Sequence, residues 1–240
     1  MNGGPQVMNI RPSMSGMTTF AIIGAGRNLG EAVARRFGRE GYSLALIARN
    51  QDRVDQLAAD LVADGFTAKG YAANVRDTDS LVAALDQATQ DLGLIEVLSY
   101  NPLPQKEFLR PLLESTVGDV RAAVEFSVYG PVAAVHQVLQ GMRVLKKGSL
   151  LFVNGGSAVQ PVQHFAGTSI GFAGETAYVE MLDQALKDEP IYVGQLIIPG
   201  AIVPGDEQKD PQVLAEKLWQ MHSQRSRLRM FATELETQPY

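Results

Sequence analysis

Short apolar runs alternate with longer amphipathic stretches along most of this chain. The first run, Thr18 to Ile23, is too short for a helix and reads as a strand. Leu29 to Glu40 repeats its apolar residues at helical spacing, with Ala32, Val33 and Phe37 on one face. Ser43 to Ala48 predicts a second strand. Gln51 to Ala63 predicts a helix that turns Val54, Leu57, Leu61 and Val62 inward. Thr67 to Val75 reads as strand three, Asp77 to Leu92 as a helix capped at Asp77 or Thr78, and Leu94 to Ser99 as strand four. Val117 to Leu145 predicts one long helix or two, bent near Gly130-Pro131, where proline cannot continue the hydrogen-bond ladder. Ser149 to Asn154 and Ile191 to Ile198 read as strands five and six, with a helix from Ser169 to Ala185 between them. Pro211 to Gln224 predicts a late helix and Leu228 to Phe231 a seventh strand.

These strands are continuous apolar runs, not alternating ones. That pattern belongs to parallel strands buried on both faces. Strands alternating with helices in this way predict an α/β fold, a doubly wound parallel sheet of seven strands. No Pro/Gly/Ser-rich linker divides the chain, so residues 18–240 are expected to form a single domain. Residues 1–17 read as a flexible polar tail. In such sheets ligands bind outside the carboxyl ends of the strands, so the residues just after each strand carry the functional question.

Composition narrows the classes. The 240 residues are 45 % hydrophobic and 20 % charged, near ordinary globular usage. With no cysteine and three scattered histidines, neither a disulfide nor a metal site is expected. A net charge of −5 argues against nucleic acid as a partner. No apolar run approaches the roughly 18 residues of a membrane span. The first residues lack a basic segment followed by an apolar core, so no secretory signal is expected and the predicted location is the cytoplasm.

Between the first strand and first helix stands Gly24-Ala25-Gly26-Arg27-Asn28-Leu29-Gly30. Glycines let a backbone turn sharply and approach a pyrophosphate, while the helix start adds free N–H groups and a partial positive charge. A turn with no ligand does not need this many glycines. The spacing G-x-G-x-x-x-G is wider than the commoner dinucleotide fingerprint, with Leu29 at the place of its last glycine. It resembles the turn of the short-chain dehydrogenase/reductase family, T-G-x-x-x-G-x-G. Gly24 and Gly30 match the first and last glycines of that family, Asn28 stands for the middle one and Ile23 for the threonine. Asparagine tolerates a left-handed backbone better than most residues, so Asn28 is expected to keep the turn. The resemblance runs from about Thr18 to Phe231. It implies a Rossmann-type fold in which Gly24, Gly26, Arg27, Asn28, Leu29 and Gly30 hold a nicotinamide dinucleotide.

Strand two ends in Leu46-Ile47-Ala48-Arg49-Asn50. A carboxylate there would hold the ribose hydroxyls of NAD, and Ala48 fills its place. Arg49 and Arg27 are instead suited to a 2′-phosphate, which guanidinium groups bind with two parallel hydrogen bonds. The expected cofactor is NADP(H). The resemblance adds Asn50, Asn74 and Val75 on the adenine side, Asn101 and Pro102 after strand four, and Pro199 and Gly200 after strand six beside the nicotinamide.

The chemical half of the family pattern is altered. That half is a Tyr-x-x-x-Lys pair, a serine and an asparagine. None of the seven tyrosines is followed four residues later by lysine. Counting from strand five puts the tyrosine position at Thr168 and the lysine position at Phe172. The serine position falls on Gly155, with Ser157 two residues on, and the asparagine position on Ser127. Ser157 and Thr168 are candidate hydrogen-bond donors to a substrate carbonyl, and His164, in the loop after strand five, is a candidate proton donor near neutral pH. Tyr129 either faces the cleft or packs inside; His136 and His222 read as helix residues. Two readings stand. One is an atypical NADPH-dependent reductase of a small carbonyl, imine or activated alkene, with Ala201 to Asp210 as a lid. The other is a non-catalytic NADP(H)-binding protein. A cofactor-independent lyase or isomerase on the same scaffold is a third. The resemblance also implies a homodimer or homotetramer, built through the segments Val117–Leu145 and Ser169–Ala185.

Overall fold

The computed structural model describes residues 18–235; the tail assigned to residues 1–17 lies outside them. Seven strands, β1 (Thr19–Ile23), β2 (Ser43–Ala48), β3 (Ala68–Ala72), β4 (Ile95–Tyr100), β5 (Gly148–Gly155), β6 (Ile191–Ile198) and β7 (Arg229–Phe231), form one sheet in the order β3-β2-β1-β4-β5-β6-β7. Every neighbouring pair is parallel. The helices are α1 (Leu29–Gly38), α2 (Gln51–Ala63), α3 (Thr78–Leu92), α4 (Val117–Val124), α5 (Gly130–Leu145), α6 (Ala166–Ala185) and α7 (Pro211–Gln224).

Successive side chains of a strand point to opposite faces, which splits the core in two. Phe20 and Ile22 of β1, with Leu44 and Leu46 of β2, meet Phe37 of α1, Leu57 of α2 and Leu218 of α7. Ala21, Ile23, Ala45 and Ile47 turn the other way, into a layer that holds Leu81 of α3, Ala134 of α5 and Phe172 of α6. Both layers are dry, which is why the strands carry no polar alternation.

The chain winds outward from β1 to β3 and then returns to lay β4 on the opposite side of β1. The strand order reverses there, so a crevice opens beyond the carboxyl ends of β1 and β4.

Several boundaries depart from the sequence pattern, each for a local reason. β3 stops at Ala72 because Asn74 starts a turn, its carbonyl accepting from Asp77 N–H at 2.9 Å and its side chain from Arg76 N–H at 3.2 Å. Asp77 caps α3, accepting from Ser80 N–H at 3.1 Å. The long helical segment breaks just before Gly130-Pro131, in a π-helical turn over Glu125–Tyr129. Pro131 lies in the first turn of α5, where its missing N–H costs nothing. α6 starts at Ala166, earlier than predicted, because the Thr168 and Ser169 hydroxyls bond back to Phe165 and Val162 and so sit inside its first turn. Val62, expected inward on α2, is 52 % exposed.

Candidate active site

The crevice is built around the turn from β1 to α1. Gly24 has φ +90°, and a Cβ there would lie 2.5 Å from Pro102 Cα and N. Glycine is therefore required twice, for conformation and for close approach. Gly30 is required for packing, since its Cβ would come within 2.9 Å of Ala25 Cα. Gly26 is different: nothing lies within 4 Å of where its Cβ would be. Among the described residues no backbone carbonyl takes the amides of Gly26, Arg27 or Asn28. An open glycine and free amides at the amino end of a ten-residue helix suit an anionic group. Asn28 keeps the turn without a left-handed backbone: its φ is −109°, contrary to the sequence expectation. Leu29 is buried as the first residue of α1.

Asn101 closes the crevice from β4. Its N–H donates to Ile23 O at 2.9 Å and its Oδ1 accepts from Ser99 Oγ at 3.3 Å, while its buried Nδ2 has no partner. A buried amide donor without an acceptor is costly unless a ligand or water supplies one.

Of the guanidinium pair predicted for a 2′-phosphate, one member makes an exposed ion pair and the other does not. Arg27 is engaged by Asp60 of α2, Nη2 to Oδ2 at 2.6 Å. Arg49 is exposed at the end of β2 and has no carboxylate partner among the described residues. Its Nη1 lies 3.2 Å from the side-chain amide of Gln105. Asn50 is occupied as the cap of α2, accepting from Arg53 N–H at 2.9 Å, so its side-chain oxygen is not free for a cofactor. Val75 is buried, and exposed Asn74 keeps its Nδ2 free beside it. Pro199 and Gly200 follow β6; Pro199 Cα lies 3.6 Å from the Cβ position of Gly156, and Gly200 has φ +75°.

Ser157 is half-buried just past β5, and its hydroxyl makes no hydrogen bond to any described residue. None of the other chemical candidates hydrogen-bonds to it. Thr168 is 4 % exposed and gives its hydroxyl to Phe165 O at 3.1 Å. His164 is exposed in the single turn Gln163–Phe165. Tyr129 is 55 % exposed. Ser127 is buried in the π-turn, where its Oγ lies 2.9 Å from the Cβ position of Gly171.

Through that contact the asparagine position meets Gly171, three residues after Thr168, and the residue four places beyond Gly171 is Glu175. Neither Gly171 nor Glu175 stands out in the sequence as a site residue. Neither pair, Thr168 and Phe172 or Gly171 and Glu175, supplies a tyrosine and a lysine. At Gly171 there is also no space, because Ala123 O stands 3.0 Å from its Cβ position.

A groove of about 460 Å³ runs along Gln208 and Phe231–Leu235. Leu235 Cδ2 reaches within 3.6 Å of the Gly156 Cβ position, so this segment lies over the end of β5. The neighbouring loop from Ala201 to Asp210 is held by its own acids: Asp210 accepts from Gly205 N–H at 2.7 Å and Asp206 from Lys209 N–H at 2.8 Å. Among the described residues there is no acid or histidine cluster able to hold a metal, and no helix long and apolar enough to cross a membrane.

Comparison with known proteins agrees with this geometry. The chain is 28 % identical over 131 residues to 2-dehydro-3-deoxy-D-gluconate 5-dehydrogenase of Formosa agariphila, covering 54 % of this chain and 49 % of that protein. It is 27 % identical over 186 residues to 2,3-dihydro-2,3-dihydroxybenzoate dehydrogenase of Bacillus subtilis, covering 75 % of this chain and 68 % of that protein. The chain thus spans about half the length of the first relative. L-Sorbose reductase of Gluconobacter frateurii, solved with NADPH and L-sorbose, shares the fold at a TM-score of 0.79 and 20 % identity, covering 88 % of this chain and 91 % of that one. The family model described as short chain dehydrogenase matches residues 18–211. From the glycine turn to the last helix, this chain belongs to the short-chain dehydrogenase family.

Proposed function

We propose that this chain is an NADP(H)-dependent oxidoreductase that reduces a small carbonyl, imine or activated alkene. The observation that carries the reading is the open Gly26 cradle at the start of α1, with Arg49 unpaired at the end of the adjacent strand. Gly24 to Gly30 would hold the pyrophosphate and Arg49 the 2′-phosphate. Arg27 is a weaker participant because Asp60 already neutralises it. Asn101 Nδ2 would donate to a cofactor oxygen, with Asn74 and Val75 on the adenine side and Pro199–Gly200 bordering the nicotinamide.

When bound, the reduced cofactor supplies a hydride. The chain must then orient the acceptor and shield it. Ser157, the unpaired hydroxyl at the end of β5, orients and polarises the substrate oxygen, and the apolar side chains of Phe231 and Leu235 exclude water from one side. General acid catalysis is typically worth about 10²–10⁴-fold. Without tyrosine and lysine the proton comes from solvent, with His164 at the rim, so turnover is slow. Proximity to the hydride remains the main contribution.

The experiment is NADPH consumption against a panel of carbonyls, imines and enones, with Gly24→Asp as the control. No turnover above the control, together with tight NADPH binding, favours the second reading, a non-catalytic NADP(H)-binding protein; the loss of all four catalytic positions motivates it. Absence of binding to either dinucleotide refutes both. We further propose a cytoplasmic homodimer or homotetramer formed through α4, α5 and α6, which light scattering tests.

A further inference from the structure

One buried ionisable group remains unused. Glu175 is 1 % exposed, yet it has no cation partner among the described residues. Its surroundings fix the direction of each hydrogen bond. Arg229 of β7 can only donate, and its Nε gives to Gln195 Oε1 at 2.8 Å. That turns the Gln195 nitrogen inward, to Asn154 Oδ1 at 2.8 Å and Thr176 Oγ1 at 3.0 Å. Asn154 is left with its own nitrogen on Glu175 Oε2, at 3.0 Å. A chain of donors thus starts at a permanent cation and ends on a carboxyl oxygen. Oε2 is an acceptor, and Oε1 has no partner.

Nothing around the carboxyl compensates a negative charge. β5 and β6 face it with amides, and β7 reaches it only through Arg229 on Gln195. The titratable groups beside it are Tyr100 of β4, whose hydroxyl donates to Phe126 O at 2.5 Å, and Tyr178 of α6, whose hydroxyl is unpartnered. One turn earlier on α6, α4 and the π-turn bring Ala123 and Ser127, neither of them charged, against Gly171. Burial pushes the Glu175 carboxyl well above the usual carboxylate range, and the Asn154 bond offsets this only in part. An isolated buried carboxylate neutralises rather than carry that cost.

We propose that Glu175 works as a neutral carboxylic acid and, through Asn154, is the positioning residue for the strand end that carries Gly155, Gly156 and Ser157. The functional half of this proposal rests on reading that strand end as a wall of the dinucleotide cleft. Asn154 directly precedes the turn into Gly156–Ala158, so the bond to Glu175 sets where that turn begins. An acid at this place offers hydrogen bonding without charge, the reverse of a lysine.

The test uses the full chain with Glu175→Gln, which imitates the neutral acid, and Glu175→Leu, which strands the Asn154 donor. Infrared difference spectra against Glu175→Gln at pH 7 are expected to show the carbonyl band of a protonated carboxyl in the unsubstituted protein. NADPH affinity is expected to stay within about twofold in Glu175→Gln and to fall about tenfold in Glu175→Leu, as one unsatisfied buried donor implies. Absence of the band overturns the neutral acid. Equal affinity loss in both variants overturns the positioning role, because a neutral mimic would then fail to rescue. If no form binds NADPH, the cofactor reading and the positioning role fall together, while the infrared band still decides the state of Glu175.

Discussion

Acidification from pH 7 to pH 5 should destabilise the fold chiefly through His222, a residue far from the crevice. His222 is 6 % exposed on α7, packed against the rings of Phe37, Tyr42 and Trp219. Tyr42 gives its hydroxyl proton to Glu96 Oε1 at 3.0 Å, so it accepts from His222 Nε2 at 3.1 Å. Nδ1 is then the bare nitrogen and takes the Ser149 hydroxyl at 2.8 Å. A second ring proton, on Nδ1, would have to reverse the Ser149 hydrogen bond and would leave a buried cation beside Arg225. Burial, and then the Arg225 charge, lower the His222 pKa from its ordinary 6.5 to about 4. The unfolded chain takes up that proton from about pH 6.5 downward, whereas the folded chain does so only near pH 4. Stability from this group is therefore intact above pH 6.5 and lost as pH falls towards 4. At 1.36 kcal/mol per tenfold, the loss is about 2 kcal/mol at pH 5 and roughly 3 kcal/mol by pH 4. Urea denaturation at pH 7 and pH 5 measures it directly. His222→Gln can still donate to Tyr42 but cannot be charged. It should be less stable than the unsubstituted protein at pH 7 and lose about 2 kcal/mol less on going to pH 5. Identical pH dependence in the two proteins would refute the assignment, since the carboxylates titrate in both.

Arg49→Asp should weaken NADPH by roughly 10–100-fold, as loss of charged hydrogen bonds worth about 1.5–3 kcal/mol implies, and leave NADH nearly unchanged; calorimetry showing equal losses rejects the 2′-phosphate role. Gly24→Ala forces a side chain onto Pro102 at an unfavourable φ and should cost roughly 1–3 kcal/mol as well as dinucleotide binding, read by thermal melts with and without NADPH. Gly171→Ala should destabilise by roughly 1–3 kcal/mol through crowding of Ser127 and Ala123, and Ser127→Gly should recover part of it; no loss in the single variant counts against the close packing of α6. Phe172→Lys removes a buried ring and brings an ammonium into an apolar layer, so a drop in melting temperature without gain of reductase activity is the expected result.

The sheet was legible because its strands are short runs dominated by apolar residues: β6, α2 and α7 begin and end at the predicted residues. Turn chemistry was legible where the residue type forces it, as at Gly24 and Asp77. What escaped were features decided by tertiary contact. The π-turn replaces the expected bend at Pro131 and is fixed by packing between α4 and α6, which no local pattern encodes. The cap that Asn50 makes for α2 escaped the sequence reading, because the same side-chain oxygen suits a ligand equally well. Arg27 looked free until Asp60 closed on it, an ion pair between residues distant in sequence. Counting from β5 puts the tyrosine and lysine positions on Thr168 and Phe172, while the Ser127–Gly171 contact is a packing feature that no count along the chain foresees.

The shut seam between α6 and the π-turn has a consequence for engineering. Grafting a phenol at position 171 is not a single-residue change, because Ser127 Oγ and the Ala123 carbonyl oxygen stand 2.9 and 3.0 Å from where its first carbon would lie. The segment Val117–Tyr129 would have to yield by a few tenths of an ångström, so repacking there belongs with any large side chain placed at 171.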